Sequence, residues 1–221
     1  FAWVEREVLP HVQALAKAER EKTGKTTGQD QNWLQVWWQH FRPRPELIGK
    51  LARLPRYLAC SRVTKRPIFA FIDSAVRPGD ALQVFAFADD YSFGILQSAA
   101  HAQWFFAKCS KMKSDFRYTP ESVFGTFPWP QAPSEKQIDT IAAAGREIRR
   151  IRSEALANLT GGLRALYRTL DLPGKNPLRD AHAALDAAVL AAYGFSAKQD
   201  LLEQLLALNS EVADRLRDSQ P

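Results

Sequence analysis

Sulfur is scarce in this chain. Its two cysteines, Cys60 and Cys109, among 221 residues are too few for a disulfide scaffold and read as reduced, packed thiols of a cytoplasmic protein. The four histidines, His11, His40, His101 and His182, are scattered, and neither Cys-x-x-Cys nor His-x-x-x-His spacing occurs, so no metal centre is expected. No apolar run approaches the roughly 20 residues of a membrane span. The chain also lacks a Gly-x-Ser-x-Gly nucleophile elbow and a Gly-x-Gly-x-x-Gly cofactor loop. Residues 23–31, TGKTTGQDQ, do not have phosphate-loop spacing and read as a polar linker. Asp89-Asp90 reads as a turn or helix cap, and Cys60 and His101 have no nucleophile–base spacing. Catalysis by this chain is therefore not expected. FAWVEREV at the start has neither an initiator Met nor a signal-peptide layout and reads as the beginning of an excised piece.

What is present is unevenly spread. Residues 1–134 carry 18 Lys and Arg against 12 Asp and Glu, whereas residues 135–221 carry 12 against 12. The whole excess of positive charge therefore lies in the first part, with 21 of the 24 aromatic residues. A basic, aromatic-rich surface beside a neutral helical partner suits a reader of polyanions.

The apolar pattern predicts helices over 3–22 and around 33–41, where Trp33, Leu34, Trp37, Trp38 and Phe41 recur at helical spacing. A further helix begins at Pro45. The period then changes to the strand-like runs RYLACSR, PIFAFI and LQVFAF, which fit an antiparallel meander. Asp90 is expected to cap a helix over 91–108, KMKSDFRYT to lead a basic loop into a short strand, and FPWPQAP to break regular structure. Beyond it the pattern is helical, with capping boxes at Ser134/Gln137 and Ser196/Gln199 and a Gly194 stop. The expected fold class is α+β: a small, mainly antiparallel sheet with packed helices, followed by a C-terminal helical bundle. The expected domains are an N-terminal helical segment (1–55), an α+β domain (56–133) and a helical domain (134–221).

Candidate contact residues follow from charge and placement. Arg42 and Arg44 precede the third helix. Arg62, Lys65 and Arg66 fall on or between two strands, and Lys108, Lys111, Lys113 and Arg117 cluster after the following helix. Tyr91 and Tyr118, each beside polar turn residues, are candidates to meet nucleic acid. Cations lining one face would grip a phosphate backbone, and Arg can also read guanine edges. Arg146, Arg149, Arg150 and Arg152 on one helix read as a solvated face.

The strings YLACSRVTKRPIFAFI, DALQVFAFADDYSFGILQS and KSDFRYTPESVFGTFPWPQ resemble the target recognition domain of MmeI-like restriction–modification enzymes. LDAAVLAAYGF and LLEQLLALN resemble the helical region that closes them. The resemblance covers nearly the whole chain. It implies a module that recognises double-stranded DNA within a single-chain adenine-N6 methyltransferase and endonuclease. The catalytic domains, which use S-adenosylmethionine and Mg2+, would lie upstream, and this piece would hold no cofactor. Consistent with that, the sequence has no Asn-Pro-Pro-Tyr motif. An alternative from another class is a protein-interaction or scaffolding domain of a larger enzyme; a third is RNA binding.

Overall fold

A computed structural model describes residues 1–39, 44–112 and 115–218. Its contacts divide the chain into two units, Phe1–Lys50 and Leu51–Pro221.

In the first unit, α1 (Ala2–Thr23) packs on α2 (Gln29–Gln35), and its Val12 and Ala16 are buried. Gly24, at φ 65°, closes α1 in the left-handed conformation open to glycine. Glu19 then accepts hydrogen bonds from the backbone amides of Gln29, Asp30 and Gln31 at 2.9, 3.1 and 3.1 Å. The amides a phosphate would use are thus occupied by a carboxylate of the same chain, and a Cβ at Gly28 would fall 2.3 Å from that carboxylate. The polar loop is a built connection. Helix α3 (Pro45–Leu51) starts at proline, as its sequence predicts.

The second unit is α+β. Strands β1 (Arg56–Ser61), β3 (Ala70–Asp73) and β4 (Leu82–Phe85) form an antiparallel sheet in the order β3-β1-β4, with Leu58 opposite both Phe71 and Phe85. This corrects the expected meander: β1 occupies the centre because Tyr57, Leu58, Ala59 and Cys60 are all buried, which suits a strand flanked on both edges. A second sheet, in the order β2-β6-β5, joins β2 (Val63–Thr64), β6 (Asp115–Arg117) and β5 (Ser110–Met112). The expected 91–108 helix is two helices, α4 (Asp90–Gln97) and α5 (Ala99–Lys108), broken at Ser98. Its cap is Asp89, whose carboxylate accepts from Ser92 N–H at 2.7 Å, and Asp90 is left for other work.

Helices α6 (Glu135–Leu156), α7 (Gly162–Arg168), α8 (Pro177–Tyr193) and α9 (Leu201–Asp218) complete the unit. The Ser134/Gln137 capping box forms in full. That expected at Ser196/Gln199 is replaced by Asp200, which accepts from Glu203 N–H at 2.8 Å. Helix α6 crosses α4 closely: a Cβ on Gly94 would come within 2.6 Å of the Ile141 side chain, and one on Gly145 within 3.0 Å of the Asp90 carbonyl. One apolar cluster runs from Leu58, Phe85 and Trp104 to Leu185, Val189 and Leu205. Trp104, fully buried, donates its indole N–H to Val123 O at 3.1 Å and Thr126 Oγ1 at 3.2 Å. Among the described residues no helix is long and apolar enough to cross a membrane.

Candidate nucleic-acid interface

The small sheet sets out the cations by its pleat. Register pairs Val63 and Ser110 with Arg117, and Thr64 and Lys111 with Phe116. Directly opposed residues share a face, and successive residues alternate. Phe116 packs against Phe105 and Phe106 of α5, with ring centroids 6.2 and 5.2 Å away. The row Val63–Arg117–Ser110 therefore faces away from α5, and Val63 is 40% exposed there.

Arg62 lies at the border of this row. Its N–H donates to Ala81 O at 2.8 Å and its carbonyl accepts from Tyr118 N–H at 2.8 Å, so its backbone joins the two sheets. Its guanidinium reaches only a long contact of 3.5 Å to Asp80 O. Ser61, Arg62, Val63, Asp80, Ala81 and Arg117 enclose an open recess of about 270 Å3. Lys65 is exposed in the turn after β2, where Thr64 Oγ1 donates to Arg66 O at 2.6 Å, whereas Lys111, though exposed on β5, lies on the opposite face of the sheet with Phe116. Among the described residues, Arg62, Lys65, Lys111 and Arg117 form no ion pair. Along the chain the nearest carboxylates are Asp73 for Arg62 and Lys65, and Asp115 for Lys111 and Arg117.

Other expected contacts stand elsewhere. Tyr118 is fully buried, sharing a 2.9 Å hydrogen bond with His101 Nε2 and stacking on Phe105. It belongs to the core, a correction that follows from its place directly after β6, where the pleat turns it inward. Arg66 is committed internally, donating to Tyr167 O at 2.7 Å and pairing with Asp171 at 2.9 Å. Lys108 is half-buried, its ammonium 4.9 Å from the Trp104 ring. Tyr91 is half-buried near Trp129, with centroids 6.5 Å apart. Arg44 belongs to the first unit, at the start of α3, with φ 45°. Arg42 and Lys113 lie outside the described residues.

The α6 arginines are not one solvated face. Arg149, Arg56 and Arg146 converge on Asp90 at 2.5, 3.3 and 3.5 Å, and the Arg56 guanidinium lies 3.7 Å over the Phe71 ring. Arg150 pairs with Glu147 and Glu154 at 2.6 and 2.5 Å. Arg152 is buried. The missed signal was periodicity, because Arg152 continues the buried stripe Ile141, Gly145, Ile148.

Burial pushes the Cys60 thiol up to about 12 and holds His101 down at about 3, so neither presents a thiolate or an imidazolium. No group of three or more His, Cys, Asp or Glu side chains is gathered to hold a metal among the described residues.

Comparison with known proteins finds relatives over part of their length. Residues 60–131 match the family model for the MmeI target recognition domain. DNA methyltransferase A of Bacillus subtilis (strain 168) is 28% identical over 209 residues, covering 93% of this chain and 23% of that protein. The Type IIL restriction–modification enzyme MmeI, solved in complex with DNA, superposes with a TM-score of 0.71 at 25% identity, covering 92% of this chain and 26% of MmeI. The chain thus spans about a quarter of the length of either relative.

Proposed function

We propose that this chain, whose residues 60–131 are a target recognition domain of the MmeI type, is the DNA sequence-recognition module of a restriction–modification methyltransferase. The observation that carries the reading is the outward row Val63–Arg117–Ser110, bordered by Arg62. It lies within the matched residues of a chain that shares its fold with an enzyme solved on DNA. Lys65 holds phosphate and sets the register, while Arg62 and Arg117, whose planar forks meet no carboxylate among the described residues, bridge to the backbone as well as to base edges. A narrow twisted β-platform is a known way to enter a DNA groove. Methyl transfer to adenine, with the S-adenosylmethionine and Mg2+ it implies, we assign to an upstream part of the parent polypeptide. We place the assembly in the cytoplasm, where its substrate is.

The test is duplex binding by the 221-residue chain across a salt series. Wild type should lose affinity steeply with salt. Combined Arg62→Glu, Lys65→Glu and Arg117→Glu should weaken binding about 100-fold or more, and the corresponding alanines should lower the log–log salt slope by about 3. Unchanged affinity and slope would reject this surface, and equal competition by structured RNA would reject duplex DNA as the ligand.

A further inference from the structure

The segment 62–69 carries two of the proposed contacts, Arg62 and Lys65, and it is clamped at both ends. At Arg62 the clamp is the junction of the two sheets. At the other end it is made of side chains from the helices. Phe69 N–H donates to Gln97 Oε1 at 2.9 Å, and Phe69 O accepts from Arg152 Nη1 at 2.7 Å. The other terminal nitrogen of Arg152 donates to the same Gln97 oxygen at 2.6 Å and to the Tyr167 hydroxyl, which in turn meets His182 Nε2 at 2.9 Å. Arg66 donates to Tyr167 O, three residues before Phe69. Side chains of α4, α6, α7 and α8 thus converge on one turn of the recognition domain.

Arg152 is an unusual choice for that work. It is 4% exposed, its guanidinium lies 5.3 Å from the Phe93 ring centroid and 4.9 Å from that of Tyr167, and its partners are all neutral. Among the described residues it forms no ion pair. Burying a cation with no counter-charge costs stability that a leucine or methionine on the same stripe would not. What an apolar side chain cannot do is fix a carbonyl, an amide oxygen and a hydroxyl in one plane, which the guanidinium fork does. The cost is explicable if the geometry of the turn matters more than its stability.

We infer that Arg152 is a positioning residue for sequence recognition: it locks the 62–69 segment to the C-terminal helices so that Arg62 and Lys65 meet the duplex at a fixed height and angle. The helices are then part of the specificity apparatus without touching DNA. This rests on the recognition reading above, but on different residues.

Two readouts separate positioning from mere stability. The first is enrichment from a random duplex pool by the 221-residue chain, comparing wild type with Arg152→Lys, which keeps the charge and loses the fork, and with Tyr167→Phe, which removes one hydroxyl. Arg152→Lys should flatten the sequence preference about tenfold while binding to the unselected pool changes by less than about twofold; Tyr167→Phe should fall between. The second is amide hydrogen exchange. Exchange over 64–69 should quicken about tenfold in Arg152→Lys, with buried α8 amides unchanged. An unaltered preference, or exchange that quickens uniformly over the chain, would overturn the inference. If Arg152→Lys does not fold, Tyr167→Phe must still show the local change, and its absence would count equally against the idea. Wild type that enriches no sequence would instead sink the recognition reading, while unchanged exchange at 64–69 in both variants would sink the clamp.

Discussion

The small β2-β6-β5 sheet, with Arg62 at its border, and helix α6 both carry arginine and use it in opposite ways. On the sheet, Arg117 and neighbouring Arg62 meet no carboxylate among the described residues and line a recess open to solvent. On α6, Arg149 shares Asp90 with Arg56 and Arg146, Arg150 is held between Glu147 and Glu154, and Arg152 is buried among neutral oxygens. A guanidinium already paired projects little field and gains little from a phosphate, whereas an unpaired one does both. The lesson is that charge counted along a sequence overstates a binding surface; what matters is the charge left over after the fold has satisfied its own groups.

Acid provides the strongest way to sharpen this contrast, because it acts on the buried polar groups around the helices. Burial holds His101 at about 3 and His182 at about 4, both below the ordinary 6.5, and pushes Asp186 up to about 6 from 3.8. Between pH 6 and 4 the unfolded chain binds a proton at each histidine that the folded chain refuses. The folded chain holds one at Asp186 that the unfolded chain releases. From these groups the net is one proton favouring unfolding, so stability should fall with pH by at most about 1.4 kcal/mol per unit in that window. Asp186→Asn removes the opposing group and should steepen the loss toward about 2.7 kcal/mol per unit. Urea unfolding at pH 7, 6, 5 and 4 reads both slopes. Flat stability from pH 6 to 4 would mean that the two imidazoles are reached by water in the folded chain.

Next in size is the removal of a shared counter-charge. Asp90 is 14% exposed and stands opposite three guanidinium groups. Asp90→Ala leaves Arg56 and Arg149 close together over Phe71, and should cost about 2 kcal/mol, discounted from a fully buried pair because the arginines are partly in water. Thermal unfolding at low and high salt checks it. A loss that vanishes at high salt would show that dissolved anions replace Asp90, making this cluster an anion-holding surface like the one proposed for the sheet and erasing the contrast.

Much of this arrangement was legible in the sequence, but unevenly. Runs such as YLAC and LQVF mark strands by their residue types, and Ser134/Gln137 and Gly194 mark helix ends through chemistry confined to a few neighbouring residues. Sheet order was not legible, since alternation tells which face a side chain takes and not which strand lies beside it. Within the proposed site, Arg62, Lys65 and Arg117 were candidates from charge and placement. The inward turn of Arg66 depends on Tyr167 and Asp171, which lie 101 and 105 residues further along. No local pattern encodes a partner at that distance. Arg152 could have been found: its spacing from Ile141, Gly145 and Ile148 puts it on the buried stripe, where a cation demands an explanation.

The smallest effect is the sharpest discriminator. Arg150 is 55% exposed at its side chain, with Glu147 and Glu154 on either side at helical spacing. Such pairs stabilise little, because ordering long side chains offsets most of the attraction and water screens the rest. Arg150→Ala should therefore leave the unfolding midpoint unchanged within error. It should also leave duplex affinity and its salt slope unchanged, since the two flanking carboxylates already cancel the charge a phosphate would meet. Arg117→Ala, the same substitution on the small sheet, should lower the slope by about 1. Equal losses from the two substitutions would mean that pairing on α6 does not withdraw an arginine from the polyanion, and the division between committed and available cations would fail at its simplest point.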